Sequence, residues 1–421
     1  MSLYDRKTPA RLTAPTARKL PRQTLLWVGL AYVLFGLFFR DAWKTDDAVG
    51  LATILTALQQ GGQAFLAPHI GGLSVVEHGP LLVWIAYIFE LIFSPLFALW
   101  MTPLDAQIVA AKLPNLLYFY IILYGVWYGC YLLARRRECQ PLPLPFGGEP
   151  DPRDYGRMLA DCAFLFLVAC FGIVMRMHET TYIPLLMACH ALAFYGFVRI
   201  FELPKQGLFF LIAGLSGSFL AAGLIGVFPV LAASCVLLTY RYYDKAQKQT
   251  ILFALGISLA ICLAWLMAVQ ANNSAWFDAW TAHNLKAFSG FGGDFLNALR
   301  DLSWFLLPLW PFALYALWQW RRWLAAPHIF VPSVFIAANL LLLLLLRTSF
   351  EPEYAPLVVP TAILAAMAIP TLRRHIVNAL DWYSIMINTL ALAVIWLGWI
   401  ALYLGWPTKI HNNISRLVPS F

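Results

Sequence analysis

Charge is what this chain has least of. Lys, Arg, Asp and Glu together fill 12% of its 421 positions, against 61% hydrophobic residues, about half the charged share of an ordinary water-soluble domain. No soluble fold of this length can hide that much apolar surface. Sequence patterns that carry nucleotide chemistry are missing as well: there is no Gly-rich phosphate loop, HExxH pair, GxSxG elbow or Walker sequence, so cytoplasmic nucleotide chemistry has no visible site. The seven cysteines, at 130, 139, 162, 170, 189, 235 and 262, show no CxxC spacing and fall almost entirely within apolar runs or on the basic side. They read as small buried hydrophobes, not as a disulfide framework or a thiolate metal site.

What is present is a succession of apolar runs of roughly sixteen to twenty-two residues, each long enough to cross a hydrocarbon core at about 1.5 Å per residue. Inside such a core the backbone satisfies its own hydrogen bonds only as helices. The expectation is an all-α integral membrane protein with about eleven transmembrane helices, at 24–39, 113–134, 158–177, 182–201, 207–222, 225–240, 250–270, 304–320, 328–346, 356–372 and 384–405. The net charge of +8 lies mainly in the links between these runs and reads as topology; it does not call for nucleic acid. Residues 1–23 form a basic tail before the first run, with no small-residue cleavage site after it, which predicts an uncleaved signal anchor and a cytoplasmic amino terminus.

The stretch Pro80 to Met101 decides the threading. If it crosses, the clusters Arg135-Arg136-Arg137, Arg241/Lys245/Lys248, Arg321/Arg322 and Arg373/Arg374 fall outside; if it stays on the outer side, all of them fall in the cytoplasm. Glu90 and the breaks at Pro80, Pro95 and Pro103 also suit an interfacial or re-entrant helix. Residues 24–421 then form one transmembrane domain with a helical first outer loop at 40–112.

Five polar constellations share that outer face. Lys44-Thr45-Asp46-Asp47 sets two carboxylates before a short helix, able to act as general base, bind a cation or cap the helix. Glu77-His78-Gly79-Pro80 enters the next helix, where His78 suits a phosphate contact or simple capping. Arg176-Met177-His178-Glu179 ends a span; Glu179 is either a second acid or the partner of Arg176. Trp280-Thr281-Ala282-His283-Asn284-Leu285-Lys286 puts His283 and Lys286 at i, i+3, suiting an anion or an interfacial helix. The run Arg347 to Tyr354 adds Arg347, Glu351 and Glu353.

In this order the five pieces resemble the GT-C fold membrane glycosyltransferases, in the branch of the protein O-mannosyltransferases and the lipid A aminoarabinose transferase. The resemblance runs from about Leu25 to Met367 and is most specific in the first loop: Asp46-Asp47, then Pro68-His69-Ile70-Gly71-Gly72, then His78-Gly79-Pro80-Leu81-Leu82-Val83-Trp84. Ala111-Lys112-Leu113-Pro114, Trp280 to Lys286 and Leu307-Pro308-Leu309-Trp310 fall where the family has similar elements. The chain departs from the pattern where the family's loop lysine is His78, where a second lysine is Ile225, and around Glu351 to Tyr354.

The resemblance implies a GT-C-like arrangement and a glycosyltransferase that moves a sugar from a polyprenyl phosphate to a hydroxyl by inverting displacement. Asp46, Asp47 and Glu179 would be its catalytic acids, with Asp46 the general base. His78, Lys112, His283, Lys286 and Arg347 would attend the donor phosphate. The lipid-linked sugar is a substrate, and no cofactor is implied, with divalent assistance left open. Acceptors include lipid, glycan or protein, with membrane lipids around the chain and a partner membrane protein as a further option. The expected place is a bacterial inner membrane, with the active site facing the periplasm. Two other readings stand beside this one. The first is a non-catalytic relative that binds a lipid-linked sugar or scaffolds a complex. The second is a transporter, for which His190 is the nearest mid-membrane ionisable residue.

Overall fold

The computed structural model describes residues 7–38, 42, 45–143 and 147–417; Arg40 and Lys44, at the opening of the first loop, lie outside them. It is helical almost throughout, with a single two-stranded ribbon, β1 (His69–Ile70) and β2 (Leu73–Ser74), among the described residues. Two compact units divide the chain, at residues 1–371 and 372–421.

In the first unit, α1 (Arg22–Leu34) leads to the first loop, where α2 (Thr45–Gln60), α3 (Leu81–Phe97) and α4 (Pro103–Lys112) follow one another. Thr102 starts α4 by accepting the Asp105 N–H at 3.2 Å, with Pro103 at the first helical position, where no N–H is needed. The stretch Pro80 to Met101 is thus a 17-residue helix whose interior contains Pro95, and α3 packs back along α4. Glu90, on α3, is buried at 4% exposure.

The bundle continues with α5 (Pro114–Ala134), α6 (Pro152–Ala169), α7 (Phe171–Arg176), α8 (Tyr182–Ile200), α9 (Pro204–Leu238) and α10 (Lys245–Asn272). Helix α8 is almost wholly buried and packs between α5 and α9. The 35 residues of α9 are not one rod: Ala222 and Gly223 leave helical geometry, Gly223 at φ +60°, a conformation open to glycine. A β-carbon on Gly226 would meet the Ser218 carbonyl oxygen at 2.5 Å, although eight residues of straight helix span about 12 Å. Helix α9 therefore doubles back as two antiparallel segments, matching the sequence runs 207–222 and 225–240.

Six more α-helices follow in this unit: α11 (Ser274–Ala287), α12 (Phe295–Phe305), α13 (Leu309–Gln319), α14 (Pro327–Leu345), α15 (Glu351–Tyr354) and the buried α16 (Val358–Ala366). The second unit is α17 (Arg374–Leu404) followed by α18 (Thr408–Leu417). Seven stretches among the described residues are long and apolar enough to cross a membrane. The turn in α9 divides one of these, while α1, α6 and α13, where the sequence also places spans, are helices of 13, 18 and 11 residues. The chain is a multi-pass membrane protein.

Tryptophan indoles anchor the first loop to this frame. Trp84 of α3 donates to the Phe65 carbonyl at 2.7 Å, Trp265 of α10 to that of Leu66 at 3.1 Å, and Trp276 of α11 to that of Pro68 at 2.9 Å. Each bond satisfies a loop carbonyl that no helix ladder could reach. All seven cysteines are free thiols, with Cys235 exposed, Cys162 half-buried and the rest buried.

Candidate active site

Asp46 and Asp47 share the first turn of α2, but neighbours on a helix point about 100° apart, so they meet different surroundings. Asp47 is 1% exposed and its Oδ1 accepts the Thr180 N–H at 2.7 Å. One turn on, Gly50 is pressed so close that a β-carbon would lie 1.9 Å from the Thr180 carbonyl oxygen. Asn115 of α5 holds the other side of that segment, donating to the Glu179 carbonyl at 2.8 Å. Asp46 faces the opposite way, into a cavity of about 1190 Å³.

Arg176, at the end of α7, joins the acids. Its Nη1 donates to Asp46 at 3.3 Å and to Glu179 at 2.5 Å, and its Nε donates to Glu351. Glu179 is fully buried, and its second oxygen, Oε1, has no partner among the described residues. The guanidinium is 6% exposed, yet it lines the cavity, and it is the only Lys or Arg side chain among the described residues to do so. Glu179 stands behind it, outside the cavity wall.

His78 enters from the first loop. The next residue fixes it, since Gly79 donates its N–H to the Ala221 carbonyl at 2.9 Å, beside the turn in α9. The imidazole is 3% exposed, stacks obliquely on Tyr182 with ring centres 5.5 Å apart, and has neither nitrogen bonded within the described residues. Burial pushes its pKa down to about 4, so at neutral pH it offers one N–H and one lone pair.

The other expected phosphate ligands separate. His283 lines the cavity from α11, but Lys286, one turn further, is exposed and does not. Arg347 is exposed too, its backbone N–H tied to the Ala287 carbonyl at 2.8 Å. Lys112 is buried at the end of α4, away from the cavity wall. The structure thus brings together Asp46, His78, His283 and Arg176, with Asp47 and Glu179 supporting from behind.

Arg176 was visible in the sequence only as a neighbour for Glu179, and Asp301 gave no signal at all. Asp301 lines the cavity with Asp46, Glu77, Glu351 and Glu353, so five carboxyl groups accompany one guanidinium among the described lining residues, and burial pushes the Glu353 pKa up to about 7. Deeper in, Tyr182, Leu186 and His190 occupy successive turns of α8, carrying the cavity about 12 Å along that helix. His190 Nε2 is 2.8 Å from the Gly226 carbonyl, which only accepts, so that nitrogen carries the ring proton.

This order of helices, with an acid-bearing first loop folded over a cavity at one end of the bundle, defines a GT-C membrane fold. The particular likeness is to ArnT from Cupriavidus metallidurans. The structure bound to undecaprenyl phosphate aligns with a TM-score of 0.67 at 15% identity, and the apo structure with 0.64 at 15% identity. Each comparison covers 90% of this chain and 64% of the other, so the chain spans about two thirds of the length of the structures it resembles. No family model and no curated protein matches the sequence.

Proposed function

We propose that the chain transfers a sugar from a polyprenyl-phosphate donor to a hydroxyl acceptor by a single inverting displacement. The observation that carries this reading is Asp46, a carboxylate exposed to the cavity that His78 also lines and held by Arg176. The likeness to an ArnT structure that holds undecaprenyl phosphate supports the donor class.

In this mechanism the acceptor oxygen attacks the anomeric carbon as the bond from that carbon to the phosphate oxygen breaks. Asp46 takes the hydroxyl proton, and the lipid phosphate leaves with the bonding electron pair. The free face of Arg176, His78 and His283 stabilise the charge that gathers on it. The site would face the periplasm of a bacterial inner membrane, the side on which the distribution of charged links puts the first loop.

The test is transfer from a mixed pool of radiolabelled polyprenyl-phosphate sugars by the purified protein in lipid. Wild type should transfer label and Asp46→Asn should not, with donor binding intact in both. One observation favours the second reading, a relative that binds a lipid-linked sugar without chemistry: His78 and Ile225 line the cavity where the resembled family has lysines, which leaves Arg176 as the one Lys or Arg among the described lining residues to stabilise a leaving phosphate. Donor binding without transfer in the wild type would select that reading.

A further inference from the structure

Helix α18 has a division of residues that nothing in the cavity uses. Lys409, Asn412, Asn413 and Arg416 are all exposed and follow the i, i+3, i+4, i+7 spacing of one helix face. Ile410 and Ile414 stand half-buried on the opposite face. His411 Nδ1 lies 2.9 Å from the Ala401 carbonyl of α17, and Gly405, at φ +69°, turns the chain between the two helices. The direction of α18 is therefore set by α17.

Two further observations say what lies against it. The end of α17 carries Trp396, Trp399 and Tyr403 in a chain of ring contacts at 5.7 and 5.0 Å, with Tyr403 and Trp406 exposed. Such aromatics belong at headgroup depth, which puts α18 there too. No Asp or Glu follows Asp381 in the sequence, so the polar face of α18 carries positive charge alone. A ten-residue helix with so narrow an apolar stripe cannot bury the roughly 800 Å² per partner of a stable protein interface.

We infer that α18 is an interfacial helix that docks on anionic lipid headgroups, its isoleucine stripe in the acyl boundary and Lys409 and Arg416 on headgroup phosphates. The docking is independent of the transfer reaction and would hold whatever the cavity binds.

The test is hydrogen exchange on the full chain in nanodiscs of phosphatidylcholine alone or mixed with phosphatidylglycerol. Amides of 408–417 should exchange roughly tenfold more slowly in the anionic discs. Lys409→Glu with Arg416→Glu should erase that difference, and Ile410→Ser with Ile414→Ser should remove protection in both discs, while α8 stays protected throughout. Equal exchange of the wild-type helix in the two discs overturns the inference. So does protection that grows with the number of protein copies per disc, or that free inorganic phosphate reproduces in phosphatidylcholine.

Discussion

Thr180 gives its backbone N–H to the carboxylate of Asp47 over 2.7 Å, and that bond divides the labour of two adjacent acids. Asp47 ties α2 to the segment that carries Glu179, and Asp46 is left facing the cavity. The pair was open to three readings in sequence; the fold gives the support role to one member and exposure to the other.

Substitutions at the two positions should therefore fail differently. Asp47→Ala leaves the buried Thr180 N–H without that acceptor, a loss of about 1–3 kcal/mol, and should lower the thermal midpoint in detergent. Asp46→Asn should melt like the wild type and lose transfer alone. Equal midpoints for Asp47→Ala and wild type would contradict the support role.

Arg176 holds three carboxylates, and removing it strands them. Arg176→Met should destabilise by about 3–5 kcal/mol, the range for breaking a buried ion pair. Adding Glu179→Gln in the same chain should restore part of that, because Glu179 is the fully buried member. No recovery in the double variant would mean that the exposed pairs with Asp46 and Glu351 dominate.

His78 predicts two pH trends of opposite sense. In the empty protein the unfolded imidazole protonates near 6.5 while the folded one stays neutral to about 4, so stability falls as pH drops through that window, and His78→Gln should flatten the fall. A lipid phosphodiester keeps a constant charge there and favours the protonated ring. Donor affinity, measured by calorimetry, should accordingly rise from pH 8 toward pH 5 in the wild type and stay level in His78→Gln.

The tryptophan anchors can be loosened one at a time. Trp276→Phe keeps most of the aromatic bulk but removes one of two donors to the Pro68 carbonyl, which still accepts the Val75 N–H at 3.0 Å, at a cost of about 0.5–1.5 kcal/mol. Amides of residues 61–80 should exchange faster, and the donor should bind more weakly, with the catalytic step itself little changed. Unaltered exchange in that loop would show that the remaining two indoles suffice.

Helices and the first loop were legible because apolar length and the alternation of charged links are one-dimensional properties. Asp46 and His78 were each open to a capping reading, and only the family-like order of motifs singled them out; the structure puts both on the wall of one cavity. The fan of Arg176 was not legible: its partners Asp46 and Glu351 lie 130 and 175 residues away, and only the packing of α2, α7 and α15 brings them together. Lys112 and Lys286 were drawn in by family-like motifs and Arg347 by its charge; the direction of the two lysines is a matter of helix rotation that spacing does not fix, and Arg347 lies in the bend after α14. The α9 turn was half-visible, as two short runs meeting at Gly223.

That turn is fastened from outside. Asn284 Oδ1 accepts the Leu224 N–H at 2.9 Å, while its own amide donates to the Trp280 carbonyl at 2.9 Å. Ala222, Ile225 and Gly226, which wall the cavity, thus take their position from a side chain on another helix that is absent from the cavity wall. The shape of that stretch of wall can therefore be altered by a substitution at position 284, a residue that nothing held in the cavity would touch.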